Sequence, residues 1–135
     1  MIFVDTSAWY AITVPTDPRH AVILSWYRSN SLPIVTTDYV VDETLTLLRA
    51  RGEFDRAVVF GRQVFDLVSV PLRYLDRSEL RRAWEIFRDQ PLRRWSFTDC
   101  TSKAVIEQMH IKQVLTFDHH FQEFGGLTIM PNGQP

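Results

Sequence analysis

The sequence predicts a three-layer α/β domain in which helices cover both faces of a central parallel sheet. Short apolar runs alternate along the chain with segments whose apolar residues recur three or four positions apart, the spacing of an amphipathic helix. Strands that are joined through helices run parallel, and their right-handed crossovers place helices on both faces of the sheet. This alternation is typical of the α/β class rather than of an all-helical or all-β fold.

Five apolar runs are predicted strands, and five periodic segments are predicted helices. The strands are MIFV at 1–4, PIVTT at 33–37, LVSV at 67–70, QVLTF at 113–117 and LTIM at 127–130. The helices cover 18–30, 38–51, 53–66, 75–90 and 97–110. The boundaries agree with the positions of turn-forming residues, which are Pro18, Pro33, Gly52, Pro71, Pro91, Gly125 and Gly126.

Length and composition favour one intracellular domain. A chain of 135 residues that is 45% apolar can build one ordinary core, so we expect a single domain over 1–135 with a disordered tail at 131–135. The one cysteine, Cys100, cannot form an internal disulfide, and the N-terminus lacks the pattern of a secretory leader. No apolar run approaches the ~20 residues that cross a bilayer. We therefore expect a cytoplasmic protein without a membrane partner.

Two carboxylates come after predicted strands. Asp5 follows MIFV, and Asp118 follows QVLTF. The carboxyl ends of parallel strands share one edge of the sheet, and ligands bind in the crevice outside that edge. If the two strands are neighbours, the two carboxylates lie across a short gap. Taken singly, each Asp is equally well explained as the N-cap of the helix behind it.

Two further acids are predicted near the same edge. On a helical wheel, Glu43 falls about 40° beyond Leu47, at the border of an apolar stripe. A carboxylate there costs free energy unless a cation or donors compensate it, and the alternative is a long side chain that reaches solvent. Ser96 and Asp99 fit the capping-box pattern, which places Asp99 in the first turn of a helix.

Four converging carboxylates predict a metal site. Clustered carboxylates repel one another unless they are protonated or share a cation. Mg²⁺ takes oxygen ligands, keeps several waters and leaves positions for substrate phosphates. Such a site can polarise a phosphodiester and activate water, which is metal-assisted hydrolysis.

Four stretches of the chain resemble PIN-domain ribonucleases, and specifically the VapC-type toxins of bacterial and archaeal VapBC toxin–antitoxin pairs. They are VDTSAW at 4–9, DETLTLL at 42–48, FTDCTSKAV at 97–105 and LTFDHHF at 115–121. The resemblance implies a sheet of strand order 3-2-1-4-5. It also implies that four acids form a catalytic pocket that binds Mg²⁺ or Mn²⁺ for RNA cleavage, namely Asp5, Glu43, Asp99 and Asp118.

The resemblance further implies the toxin of a type II toxin–antitoxin system, an endoribonuclease with RNA as substrate and a VapB-like antitoxin as partner. The alternatives are a stand-alone PIN-domain RNA-processing nuclease and a catalytically degenerate PIN fold that only binds. A phosphatase of the haloacid dehalogenase type is disfavoured because Ser7 stands where its second Asp would be. A P-loop nucleotide binder is excluded, since the five glycines form no phosphate-binding loop.

Several residues around these motifs carry weaker expectations. We expect Thr6 to help cap a helix rather than to face a metal's water shell, and His119 and His120 to be solvated loop residues. The large apolar residues of 18–30 and 38–66 predict an apolar groove for a partner, with a homodimer formed through other helices. Seven arginines between Arg73 and Arg94 form either a phosphate-binding patch or an ordinary solvated helix face.

Overall fold

The computed structural model describes residues 1–132, which form five strands and seven helices. The strands are Ile2–Val4 (β1), Ile34–Thr37 (β2), Leu72–Arg73 (β3), Gln113–Leu115 (β4) and Thr128–Met130 (β5). The helices are Thr6–Thr13 (α1), His20–Ser29 (α2), Asp38–Ala50 (α3), Phe54–Phe65 (α4), Arg77–Asp89 (α5), Phe97–Gln108 (α6) and His120–Glu123 (α7). Pro131 and Asn132 form a turn after β5, and the rest of the predicted tail at 131–135 lies outside the described residues.

The strands form one parallel sheet in the order β3-β2-β1-β4-β5, as predicted. Ile2 pairs with Ile34 of β2 on one side and with Gln113 of β4 on the other. From β1 the chain builds outward through β2 to β3, and it then returns to the far side of β1 to add β4 and β5. The direction of winding therefore reverses between β1 and β4, and the carboxyl ends of these two strands border the crevice in which open α/β sheets bind ligands.

Apolar residues on both faces explain why β1 and β4 occupy the centre of the sheet. Phe3, Val4, Val114 and Leu115 are fully buried, as expected for strands that are covered by helices on both sides. A smaller cluster of buried residues lies between α5 and α6 and includes Trp95 and Cys100. Burial raises the pKa of the Cys100 thiol to about 11, which agrees with its expected role as a small hydrophobic residue.

Side-chain caps fix the starts of the helices that carry the acids. Thr37 accepts a hydrogen bond from the backbone N–H of Val40 at the start of α3. Ser96 and Asp99 form a reciprocal capping box at the start of α6, as the sequence pattern predicts. The five predicted helices are confirmed within two residues at each end. None of the helices within residues 1–132 is both long enough and apolar enough to cross a bilayer.

One predicted strand is wrong, and two helices, α1 and α7, are absent from the five predicted ones. The segment 67–70 is not a strand, because Val68 has a φ of 51°, in the left-handed region that extended chains do not adopt. Pairing with β2 begins only at Leu72, which lies opposite Thr36. The five periodic segments also leave out α1, to which the sequence points only as the helix capped by Asp5, and its residues Thr6, Ala8, Trp9, Tyr10 and Ala11 are all buried. A helix that is covered on most sides lacks the polar face on which the periodicity test depends.

Candidate metal centre

Asp5 lies at the carboxyl end of β1 and is buried. Its backbone N–H donates to the carbonyl of Leu115 in β4 (3.1 Å), so the residue continues the pairing of the two strands. Its Oδ2 accepts hydrogen bonds from Thr116 Oγ1 (2.9 Å) and from Ser7 Oγ (3.1 Å). Asp5 is also the N-cap residue of α1. The N-cap explanation is therefore confirmed, and the carboxylate lies at the sheet edge where β1 and β4 end.

The charge of Asp5 is disfavoured in the absence of a cation. The pKa of Asp5 is raised to about 7; burial is the largest cause and the negative charges of Asp99 and Glu43 add to it, while the hydrogen bond from Thr116 acts in the opposite direction. Within residues 1–132, no Arg or Lys forms an ion pair with this carboxylate. The site thus holds a buried acid that has hydroxyl donors but no basic partner.

Glu43 projects from α3 toward the same edge and is half-buried, as predicted. Burial raises its pKa, and the charges of Asp99 and Asp118 add to the increase. The hydroxyl of Thr6 faces Glu43 and lowers the pKa of Glu43. The contact falls short of full hydrogen-bond geometry, so the buried Thr6 Oγ1 has no hydrogen-bond partner within the described residues. The expectation that Thr6 caps the helix is wrong, because Asp5 is the cap and Thr6 points into the site.

His120 lies between Asp99 and Asp118. Its Nδ1 is 3.1 Å from Asp99 Oδ2 and 3.5 Å from Asp118 Oδ1. Asp118 Oδ1 also accepts a hydrogen bond from the backbone N–H of His120 (2.9 Å). The expectation of a solvated His120 is wrong, since its side chain is 19% exposed, whereas that of His119 is 78% exposed and is confirmed as a surface residue.

Asp99 is held by two donors and is close to further negative charge. The same Oδ2 that faces His120 accepts the Ser96 backbone N–H (3.0 Å) in the capping box. Burial raises the pKa of Asp99, and the charge of Asp118 raises it further, while Ser96 and His120 lower it. Asp99 thus combines a helix-capping role with a place among the clustered acids.

Asp118 does not follow β4 directly. The strand ends at Leu115, and Thr116 and Phe117 lie in between. The Thr116 hydroxyl accepts the Asp118 backbone N–H (2.9 Å), and Ser7 Oγ accepts that of Phe117 (2.9 Å). The two hydroxyls, which are 3.1 Å apart, therefore connect the Asp118 loop to Asp5.

Sequence reasoning missed the contribution of Ser7 and Thr116. In the sequence, Ser7 stands out only as a departure from a phosphatase pattern, and Thr116 falls at the end of the predicted strand 113–117. The sequence signal that could identify them is their position, because Ser7 lies two residues after Asp5 and Thr116 lies two residues before Asp118. Their contact could not be predicted, because it spans 109 residues of sequence and depends on the register of β1 and β4.

The donor set fits a hard divalent cation. The structure brings Asp5, Glu43, Asp99 and Asp118 together closely enough that each lies within the field of at least one other. Carboxylate oxygens without Arg or Lys partners among the described residues, beside the unsatisfied Thr6 hydroxyl, are the surroundings expected for such a cation and its water shell. Asp118, His119 and His120 also form a group whose potential ligand atoms lie within 4.8 Å of one another.

Residues 2–127 match the PIN domain family. The chain belongs to this family. It is 32% identical over 131 residues to the 23S rRNA-specific endonuclease VapC20 of Mycobacterium tuberculosis strain H37Rv, a match that covers 97% of this chain and 99% of the relative. The same identity and coverage hold for VapC20 of strain CDC 1551 / Oshkosh. The predicted VapC-type membership and the class of enzyme, a PIN-family endonuclease, are confirmed by these similarities.

Two crystal structures agree with this PIN-domain assignment. That of M. tuberculosis VapC20, described as a Sarcin-Ricin loop cleaving toxin, superimposes with a TM-score of 0.85 at 31% identity and covers 93% of this chain and 95% of its own. FitAcB from Neisseria gonorrhoeae superimposes with a TM-score of 0.70 at 15% identity and covers 96% of each chain. The second similarity shows the shared fold only.

Proposed function

We propose that this PIN-domain protein, a single domain over 1–135, is a metal-dependent endoribonuclease and the toxin of a type II toxin–antitoxin pair that acts in the cytoplasm. The observation that carries the proposal is the group of four carboxylates at the topological switch point of the sheet, without an Arg or Lys partner among the described residues. The similarity to VapC20 supports RNA as the substrate.

Asp5, Glu43, Asp99 and Asp118 would hold Mg²⁺ or Mn²⁺. When bound, the ion supplies Lewis-acid polarisation of the phosphodiester and an activated water. Ser7 and Thr116 orient the Asp5 carboxylate and connect it to the Asp118 loop. His120 orients Asp99 and Asp118 by contacting both, as groups behind metal ligands commonly do.

The groove for a VapB-like antitoxin is proposed between α1, α2 and α4. A cavity of about 420 Å³ lies there, and its apolar lining includes Trp9, Ile12, Leu24, Tyr27 and Val59. Among the apolar residues on which the prediction of a groove rested, Phe60 is buried in the core, while Val59 and Phe65 are about half exposed. This combination of buried and exposed apolar residues supports a groove with a buried floor and an exposed rim, which suits an apolar partner segment.

The test of metal-dependent cleavage compares two neighbouring acids of α3. Glu43→Gln removes a proposed ligand, whereas Asp42→Asn neutralises an exposed acid at the next position and serves as the matched control. Bacterial total RNA is incubated with each protein in Mn²⁺ or in excess EDTA, and primer extension maps the cleaved sites. We expect cleavage by the wild type and by Asp42→Asn in Mn²⁺ alone. Equal cleavage in EDTA, or undiminished cleavage by Glu43→Gln, would contradict the proposal.

The toxin role is tested by expression in a bacterial host. We expect growth arrest with the wild type and normal growth with Glu43→Gln, since arrest requires cleavage. A nuclease that cleaves RNA in vitro without arresting growth would instead be a stand-alone processing enzyme. Proteins that bind RNA without cleaving it under any metal condition would support the degenerate binding module.

A further inference from the structure

Two threonine hydroxyls face the Glu43 carboxylate from neighbouring helices. Thr6 begins α1 and Thr98 lies in the first turn of α6, while Glu43 projects from α3. We propose that Thr6 and Thr98 form a seat for Glu43, in which they act as positioning residues that hold its ionised carboxylate for a divalent cation. The inference rests on the proposed function and extends it from the four acids to the hydroxyls that orient one of them.

The hydroxyl of Thr6 is buried without a partner. Thr6 is 5% exposed, and its Oγ1 is shielded from solvent and forms no hydrogen bond within residues 1–132. The N-cap of α1 is supplied by Asp5, so the hydroxyl is not needed for capping. Buried polar groups are rarely left unsatisfied, because their lost hydration is not replaced. The acceptor that this hydroxyl faces is the carboxylate of Glu43.

Burial and nearby negative charge both oppose the ionisation of Glu43. Burial is the largest cause of its raised pKa, and the charges of Asp99 and Asp118 add to the increase. The hydroxyls of Thr6 and Thr98 lower this pKa, because a donor to a carboxylate favours its ionised form. A carboxylate must be ionised to bind a cation, so the two hydroxyls favour the form of Glu43 that can act as a ligand.

The two hydroxyls lie on parts of the scaffold that are held in place near the site. Thr6 directly follows Asp5 at the end of β1, and Thr98 lies within the capping box that Ser96 and Asp99 form. Helix α3 packs against both α1 and α6. Groups on helices and strands hold a ligand more precisely than groups on loops do. The seat therefore presents its two hydroxyls from fixed positions on two helices.

Urea unfolding of the metal-free protein in EDTA tests the contact itself. Thr6→Val, Glu43→Gln and the double variant form a cycle, in which side chains that interact have non-additive effects on stability. We expect the effect of Thr6→Val on the equilibrium constant of unfolding to differ by more than about twofold between the wild-type and Glu43→Gln backgrounds. Thr6→Val alone should not destabilise the protein, because it removes a buried hydroxyl that has no hydrogen-bond partner within the described residues.

Calorimetric titration with Mn²⁺ tests the positioning role. Thr6→Val should weaken Mn²⁺ binding by about tenfold, the lower end of the loss when a group behind a metal ligand is removed. Thr98→Val should weaken it less, since Thr98 is only half-buried and water can replace its hydroxyl. Thr6→Ser keeps the hydroxyl and should restore the affinity. Thr44→Val is the matched control, because this buried hydroxyl already donates to the Val40 carbonyl (2.7 Å), and it should lower stability without changing Mn²⁺ affinity.

Three results would overturn the seat. They are additive effects in the metal-free cycle, an Mn²⁺ affinity of Thr6→Val equal to that of the wild type, and a weakened affinity that Thr6→Ser does not restore. Additive effects together with weakened binding would show that Thr6 acts on a water of the cation instead of on Glu43. A wild type that binds no Mn²⁺ would refute the proposed function, and the metal-free cycle would still decide whether the hydroxyl and the carboxylate interact.

Discussion

Replacement of Asp5 by Asn should stabilise the metal-free protein, and by clearly more at pH 8 than at pH 5. Asn is as good an N-cap residue as Asp, and its amide oxygen can accept the hydrogen bonds from Ser7 and Thr116. The two side chains therefore differ mainly in charge. At pH 5 Asp5 is largely protonated in the folded protein, because burial raises its pKa to about 7, whereas it is ionised in the unfolded chain, so part of the difference is already present at that pH.

The size of the effect follows from that pKa. The interval between the ordinary value of 3.8 and about 7 corresponds to about 4 kcal/mol of unfavourable free energy for the ionised form. The folded protein binds this proton more tightly than the unfolded chain, so the contribution of Asp5 to stability is greatest below pH 4 and is lost as the pH rises to about 7. We expect the advantage of Asp5→Asn over the wild type to grow by roughly 2–3 kcal/mol between pH 5 and pH 8, because about two of the pH units over which the proton is lost lie in this range.

Urea unfolding in EDTA at pH 5, 6, 7 and 8 measures the difference in unfolding free energy between the two proteins. The comparison holds if the dependence of this free energy on urea concentration is the same in both. Asp42→Asn is the control, because this exposed neighbour of Glu43 should show no pH-dependent difference from the wild type. A stability difference between Asp5→Asn and the wild type that is constant with pH would refute the reasoning. It would mean that Asp5 acts as a helix cap without a buried, unpaired charge.

Three further predictions concern the metal, the scaffold and the assembly. Thr116→Val should weaken Mn²⁺ binding by roughly 10–100-fold in calorimetry and lower RNA cleavage, with rescue by Thr116→Ser, because the hydroxyl orients Asp5; unchanged affinity would contradict this role. Arg73→Ala should cost about 2 kcal/mol in urea unfolding, since it leaves the buried Glu79 carboxylate without its partner at 2.8 Å; a neutral result would show that water replaces Arg73. Light scattering should give the mass of a homodimer, and a monomer at high concentration would count against it.

The sheet could be predicted because its strands are short apolar runs that alternate with periodic helical segments. The order of the strands came from the resemblance of four motifs, and the position of the acids followed once β1 and β4 were neighbours. Strand β3 could not be predicted, since it has two residues and no apolar run, and the more apolar LVSV segment before it is exposed at Leu67 and Val68. Apolar composition alone does not distinguish a strand from an exposed turn.

Contacts between side chains were the least predictable part of the site. His120 was expected in solvent because two consecutive histidines after an acid resemble a polar loop. The short helix α7 instead turns its ring back toward Asp99, which is 21 residues away in sequence. No spacing rule predicts such a contact, because it depends on the direction of α7 and on the position of α6.

The electrostatic repulsion among the four acids arises where the scaffold is most constrained. Asp5 begins directly after β1, a strand that is paired on both sides and whose three residues are almost completely buried. Pairing with β2 and β4 resists the movement that would let Asp5 and Asp99 separate and reduce their repulsion. A cation is then the remaining means of relief, which couples its binding to the loss of protons from the acids with raised pKa values. Binding of Mg²⁺ should therefore weaken as the pH falls from 8 to 6, which calorimetry at the two pH values would measure. Equal affinities at pH 8 and pH 6 would show that these acids are not its ligands.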